Sequence, residues 1–187
     1  MRWGILGCGN IARKFVQAVE AVEGAVVQAA ASRNLGKAQQ FAQDWNIPLA
    51  YGGYEKLWEK GNVDAVYIAT PHNTHFIYTR QALLAGMPVL CEKPFTVTAA
   101  EAWELYHIAQ EKQVFCMEAM WTRMLPAMRR MQEMVRRGDI GQVRRVAAQY
   151  CFSGKFDPSS RLYHPGLAGG ALLDVGVYPL AAAAMIW

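Results

Sequence analysis

Gly7-Cys8-Gly9-Asn10-Ile11-Ala12 stands between a strand-length apolar run, Arg2 to Leu6, and a helix-length amphipathic run, Asn10 to Val22. A second apolar run follows at Ala25 to Ala31. A G-x-G-x-x-A hexapeptide in that setting is the fingerprint of a dinucleotide-binding turn. Gly7 permits the tight turn, Gly9 lets a pyrophosphate approach the backbone, and the small Ala12 allows helix and strand to pack closely. The anion would sit on the helix N-terminus, at Asn10 and Ile11. A glycine turn without a ligand is the alternative.

The alternation of strand-length and helix-length segments continues to about Met117, which predicts repeated βαβ units. Helical spacing places Ala38, Phe41, Ala42 and Trp45 on one face of Gly36 to Trp45. Further strands are expected at Leu49 to Tyr51, Ala65 to Ala69, Val89 to Cys91 and Val114 to Met117. Helices are expected at Glu55 to Lys60, His75 to Ala85 and Ala99 to Gln113, the last opening on the capping box Thr98-Ala99-Ala100-Glu101. Nearly continuous apolar strands call for helices on both sheet faces, hence a doubly wound parallel α/β domain over residues 1–118.

Residues 119–187 read differently. Pro126 to Arg137 predicts a helix that opens on a proline and stops at Gly138. Arg144 to Ser153 alternates like a half-buried antiparallel strand, with Val146, Ala148, Tyr150 and Phe152 on one face. No second strand is evident after Gly154, and Ala181 to Trp187 ends in an uncapped apolar run, so this α+β domain is expected to be incomplete. On that reading the 187 residues alone make a poor or inactive enzyme.

Apolar residues form 53% of the 187 and charged ones 18%, which excludes disordered and collagenous classes. Charged or glutamine residues are expected to interrupt every run before the ~18 residues of a membrane span. Cys8, Cys91, Cys116 and Cys151 form no C-x-x-C pair and predict free thiols. A start that enters the glycine motif directly leaves no room for a leader, so a cytoplasmic protein is expected. The formal charge of +4 neither demands nor excludes an anionic partner. Seven arginines between Arg123 and Arg145 could suit a nucleic acid, but no binding motif accompanies them, and a solvated helix face is expected.

Four segments carry candidate chemistry. Ala31-Ser32-Arg33-Asn34 ends the second strand, where NAD-binding chains place an acid for the ribose 2′-hydroxyl; Arg33 instead suits the 2′-phosphate of NADP. Solvated loop polarity is the alternative for Ser32 and Arg33. Thr70-Pro71-His72-Asn73-Thr74-His75 leaves another strand at its carboxyl end and would border the nicotinamide ribose through Thr70, His72 and His75, or simply cap a helix. No acid or cysteine completes a metal set there. Glu92-Lys93-Pro94 leaves the next strand at the same edge, where a lysine can orient a hydroxyl or serve only structure. In Gly169 to Pro179, helical spacing would align Asp174 and Tyr178 at i, i+4, against the plain reading of a packing tyrosine.

Taken together, G-C-G-N-I-A, T-P-H-N-T-H, C-E-K-P-F, E-A-M-W-T-R-M-L-P and G-G-A-L-L-D-V-G-V-Y-P-L resemble the Gfo/Idh/MocA oxidoreductases over essentially the whole chain. Within that family the motifs are similar to those of dimeric dihydrodiol and NADP-dependent D-xylose dehydrogenases. The resemblance implies an N-terminal Rossmann domain that binds NADP and a C-terminal domain built on a large open sheet often used for dimerisation. It further implies that Lys93 and Tyr178 are catalytic, with Asp174 nearby, a Lys93–Pro94 bond that can be cis, and Glu92 at the cofactor. Trp121 and Arg123 would lie near the substrate, a sugar or diol. The implied reaction moves a hydride from a carbinol carbon while Tyr178, or Lys93 in a close variant, takes the hydroxyl proton. A short-chain dehydrogenase is set aside because no Tyr-x-x-x-Lys is present. A non-catalytic NADP-binding fragment is the rival.

Overall fold

The apolar runs of the first 118 residues pair as one sheet in the computed structural model, which describes residues 1–187. Its strands are β1 (Arg2–Leu6), β2 (Val26–Ser32), β3 (Leu49–Gly52), β4 (Ala65–Ile68), β5 (Val89–Glu92) and β6 (Cys116–Ala119), in the spatial order β3-β2-β1-β4-β5-β6. β1 pairs in parallel with β2 and β4, β2 with β3, and β4 with β5. Helices α1 (Asn10–Glu20), α2 (Leu35–Asp44), α3 (Lys56–Lys60), α4 (His75–Leu84) and α5 (Ala99–Lys112) supply the crossovers. The order reverses between β1 and β4, and a crevice opens at the carboxyl ends of strands at such a reversal.

Burial explains why these runs are strands. Ile5, Leu6, Val66, Ile68, Val89 and Cys91 are all fully or almost fully buried, and Leu83 of α4 and Leu105 of α5 share one core with Leu6, Val66, Ile68, Val89 and Cys91. Each large side chain taken out of water contributes about 1.5–3 kcal/mol. The capping box forms as expected, Thr98 Oγ1 accepting the Glu101 amide and the Glu101 carboxylate accepting the Thr98 amide. β6 begins two residues later than the apolar run suggested, because Val114 instead closes the α5 turn by donating to the Ala109 carbonyl.

The chain divides into two compact units, Met1–Glu118 and Ala119–Trp187. In the second, α6 (Pro126–Arg137) starts on its proline and ends at Gly138, whose φ of 76° is left-handed. Met128, Met131, Gln132 and Val135 are half-buried while Arg129, Arg130, Glu133, Arg136 and Arg137 face outward. The outward arginines Arg130 and Arg137 pair with Glu133 and Asp139. Such exposed pairs stabilise little.

Two expectations are corrected here. Arg144 to Ser153 forms no strand: Val146 is half-buried, but Ala148, Tyr150 and Phe152 are exposed and no neighbour offers a ladder. A strand's alternation has no structural effect without partner N–H and C=O groups. In addition, Pro165–Ile186 is long and apolar enough to cross a membrane by length and composition. Asp174 is its single charged residue, so charge interrupts it less than expected. The segment is not one regular helix. A 3-10 turn at Pro165–Leu167 gives way to Ala168 and Gly170 with positive φ, then to a π turn at Leu172–Gly176 and finally to α7 (Val177–Ile186).

Candidate active site

Gly7 follows the last residue of β1 with φ +93°, and a Cβ there would sit 2.7 Å from the Ala69 carbonyl oxygen. Only glycine fits that turn without strain. Gly9 is different: its backbone is extended, and a Cβ would meet nothing within 4 Å. It caps α1, whose first turn has no acidic residue and no side-chain cap. The amides of Asn10, Ile11 and the buried Ala12 therefore open the helix toward space, the arrangement that takes an anionic group. The glycine turn thus fits the dinucleotide it predicts.

At the end of β2, Ser32 and Asn34 serve the turn. Ser32 Oγ accepts the Asn34 amide at 3.3 Å, and Asn34 Oδ1 caps α2 by accepting the Lys37 amide at 3.1 Å. Arg33 between them is exposed, and no acidic side chain pairs with it. A guanidinium presented in that way at the strand edge can take a phosphate.

The loop after β4 is ordered from within. Thr74 Oγ1 donates to Thr70 Oγ1 or to the Pro71 carbonyl, at 2.9 and 2.7 Å. The 3-10 turn His72–Thr74 leads into α4, with the His72 and His75 rings edge to face at 5.7 Å. His75 is fully buried, its Nδ1 2.7 Å from the Pro94 carbonyl and its Nε2 2.9 Å from the Thr70 carbonyl. Burial pushes its pKa below the ordinary histidine value, and the two carbonyls oppose that shift. A neutral ring donates to one carbonyl only. Because both nitrogens face carbonyls inside the fold, the His75 side chain ties this loop to the Lys93-Pro94 loop and is not presented to a ligand.

Lys93 follows β5 at the same sheet edge, and its bond to Pro94 is cis. Glu92 before it is buried, and burial raises its pKa against the hydrogen bond from Tyr67. Tyr67 was not legible as a site residue, because a tyrosine inside an apolar run reads as core. The turn beyond is held by Glu118, whose Oε1 accepts the Phe95 amide at 2.9 Å.

In the second unit, Trp121 and Tyr178 come together: the indole Nε1–H donates to the Tyr178 hydroxyl at 3.2 Å, with the rings near-perpendicular. Tyr150 lies against Tyr178 at 5.0 Å, although its segment is not a strand. Asp174 is buried and accepts Arg161 Nη1 at 3.0 Å, an ion pair the motif alone did not reveal. A cavity of about 260 Å³ is lined by Asp174, Tyr150, Phe152 and Tyr163 among others. Arg123 lines a different cleft of about 400 Å³ with Arg129, Arg136 and Met185. The π turn just before α7 explains how Pro179 is accommodated, since a proline clashes with the carbonyl four residues back in a regular helix.

Residues 1–120 match the family described as "Oxidoreductase family, NAD-binding Rossmann fold", and residues 128–187 match its C-terminal domain. The chain is 40% identical to D-xylose 1-dehydrogenase (NADP(+)) of Hypocrea jecorina, over 96% of this chain and 51% of the relative. It is 41% identical to trans-1,2-dihydrobenzene-1,2-diol dehydrogenase of Mus musculus, over 100% of this chain and 56% of the relative. Among solved structures, KijD10, a 3-ketoreductase from Actinomadura kijaniata in complex with NADP and TDP-benzene, superposes with a TM-score of 0.90 at 35% identity. That superposition covers all of this chain and 57% of KijD10. The chain spans about half the length of the relatives it matches. With its glycine turn at the β1/β4 crevice and its lysine at the end of β5, the chain belongs to the Gfo/Idh/MocA oxidoreductase family.

Proposed function

We propose that this chain is the cofactor-binding part of an NADP-dependent dehydrogenase that oxidises a carbinol carbon of a sugar or cyclic trans-diol. The observation that carries the reading is the open Gly9 turn beside an exposed, acid-free Arg33 at the end of β2. Gly7, Gly9, Asn10 and Ile11 would hold the pyrophosphate, Ser32 and Arg33 the 2′-phosphate, and Thr70 and His72 the nicotinamide side. The names of the fungal and mammalian relatives support the substrate class.

A nicotinamide held beside Thr70 and His72 would supply the hydride acceptor for the carbinol carbon. The substrate oxygen must lose its proton as the carbonyl forms, and Tyr178 or Lys93 is the group that takes it. Trp121 holds the Tyr178 hydroxyl in place by its indole N–H, and Asp174, neutralised by Arg161, anchors the turn before α7. Four cysteines without disulfides support a reducing, cytoplasmic setting. The resemblance to dimeric relatives supports a homodimer for the full-length protein.

The second reading, an NADP-binding chain without turnover, is favoured by the exposed aromatic side chains of Tyr150, Phe152 and Phe156, which leave the substrate unit without a packed apolar face there. Both readings require cofactor binding. NADP and NAD titrated calorimetrically into the chain should show preference for NADP. Arg33→Ala should weaken NADP by roughly tenfold to a hundredfold, the loss of a charge-assisted bond of ~1.5–3 kcal/mol, and leave NAD unchanged. Equal NADP affinity in both proteins overturns the cofactor assignment. Turnover separates the two readings: D-xylose and a trans-diol are offered with NADP to the chain, and to a chimera in which the C-terminal half of the fungal relative follows Trp187. Binding with no oxidation by either protein selects the non-catalytic reading.

A further inference from the structure

Tyr67 sits within β4, almost fully buried, with its ring stacked on Phe15 of α1 at 3.9 Å and 13°. Trp3 of β1 packs edge-on against Phe15 at 5.2 Å. Phenylalanine would fill such a place equally well, and a buried hydroxyl costs stability unless it finds a partner. Its partner is Glu92: the hydroxyl donates to Glu92 Oε1 at 2.5 Å. Tyr67 is in register with Leu90 of β5, so the hydroxyl reaches two residues along the neighbouring strand to the residue before Lys93. The second carboxylate oxygen, Oε2, accepts the amide N–H of Lys93 at 3.1 Å. On the far side of the Lys93-Pro94 peptide, His75 Nδ1 lies against the Pro94 carbonyl.

We propose that Tyr67 and Glu92 are positioning residues for Lys93, fixing its backbone amide through one carboxylate, with His75 Nδ1 packed against the adjoining Pro94 carbonyl. This rests on the reading of Lys93 as a catalytic residue. Two donors on opposite oxygens match an ionised carboxylate, which accepts at both. Burial raises the Glu92 pKa, and Tyr67 and Lys93 oppose the rise. Glu118 on β6 adds to it, and the Cys91 thiol beside Glu92 is itself pushed up by burial. Burial and Glu92 together raise the pKa of the Tyr67 hydroxyl, which stays a donor. The hydroxyl therefore acts on Lys93 through Glu92, and through the stacked Phe15 it links that turn to the helix of the glycine motif.

Amide hydrogen exchange followed by NMR on the 187-residue chain tests this without using turnover. In Tyr67→Phe the Lys93 amide should exchange on the order of tenfold faster, the weakening of one bond to a charged group. The Val66 and Val89 amides, held by the Pro88 and Phe115 carbonyls, should stay within about twofold. After correction for intrinsic exchange, wild-type protection at Lys93 should step down as Glu92 protonates. That step should move to higher pH in Tyr67→Phe and vanish in Glu92→Gln. An unchanged Lys93 amide and pH step in folded Tyr67→Phe overturns the proposal, as does uniform loss of protection across β4 and β5, which marks a core residue only. If Tyr67→Phe does not fold, Glu92→Gln alone decides, with a retained pH step as the refuting result. Full turnover by Lys93→Ala would instead refute the catalytic reading and leave the exchange result standing.

Discussion

Tyr178→Phe in the chimera is expected to lower kcat by about 10²- to 10⁴-fold, the range that a positioned proton-transfer group contributes. NADP affinity should stay within about twofold, since the residues proposed to hold the cofactor all lie in the first unit and a single hydroxyl is lost. Phenylalanine keeps the ring that packs against Tyr150 and Trp121, so a folding defect should not obscure the result. Lys93→Ala should cost a comparable factor. The pH dependence of kcat separates their roles: the variant that loses the acid limb of the profile is the one that has lost the base. Stopped-flow hydride transfer with a deuterated carbinol checks that chemistry, and not product release, is being read. Near-normal kcat in Tyr178→Phe would remove it from the reaction.

The second large effect is a contrast between two glycines two residues apart. Gly7→Ala places a Cβ 2.7 Å from the Ala69 carbonyl at a φ of +93°. Backbone strain of about 1–3 kcal/mol and overpacking of similar size should together lower Tm by on the order of 10 °C. Gly9→Ala meets no atom within 4 Å and keeps an allowed backbone. Its loss as a helix cap and its gain through a stiffer unfolded chain are each about 0.5–1 kcal/mol and offset one another. Tm should therefore stay within about 2 °C, while the new methyl in the open turn weakens NADP at least about tenfold. Thermal unfolding and calorimetry on both variants check this. Unimpaired NADP binding by Gly9→Ala would show that no pyrophosphate lies over that turn.

How much of the site was legible depended on whether a residue acts through local chain geometry or through a distant neighbour. The Gly7 turn, the Thr98 cap and the Pro126 start are local, set by φ, a missing Cβ or a short-range hydrogen bond, and the motif identifies them directly. Arg161 reaches Asp174 over thirteen residues of irregular chain, and Tyr67 reaches Glu92 across a strand pair. No spacing rule predicts either. Tyr67 in an apolar run and Arg161 in a polar loop each look ordinary by type.

The segment Arg144 to Ser153 marks the same limit from the other side. Its alternation is a local property, but a strand exists only where a partner offers hydrogen bonds, and here none does. By itself the sequence determined the order of the α/β elements and the glycine turn, because apolar periodicity and turn chemistry act over a few residues. Tertiary structure alone decided that His75 faces inward to two carbonyls and that Gly9, unlike Gly7, opens onto space. Those outcomes depend on which backbone atoms lie opposite, and that is settled only when β1, β4 and β5 pack side by side.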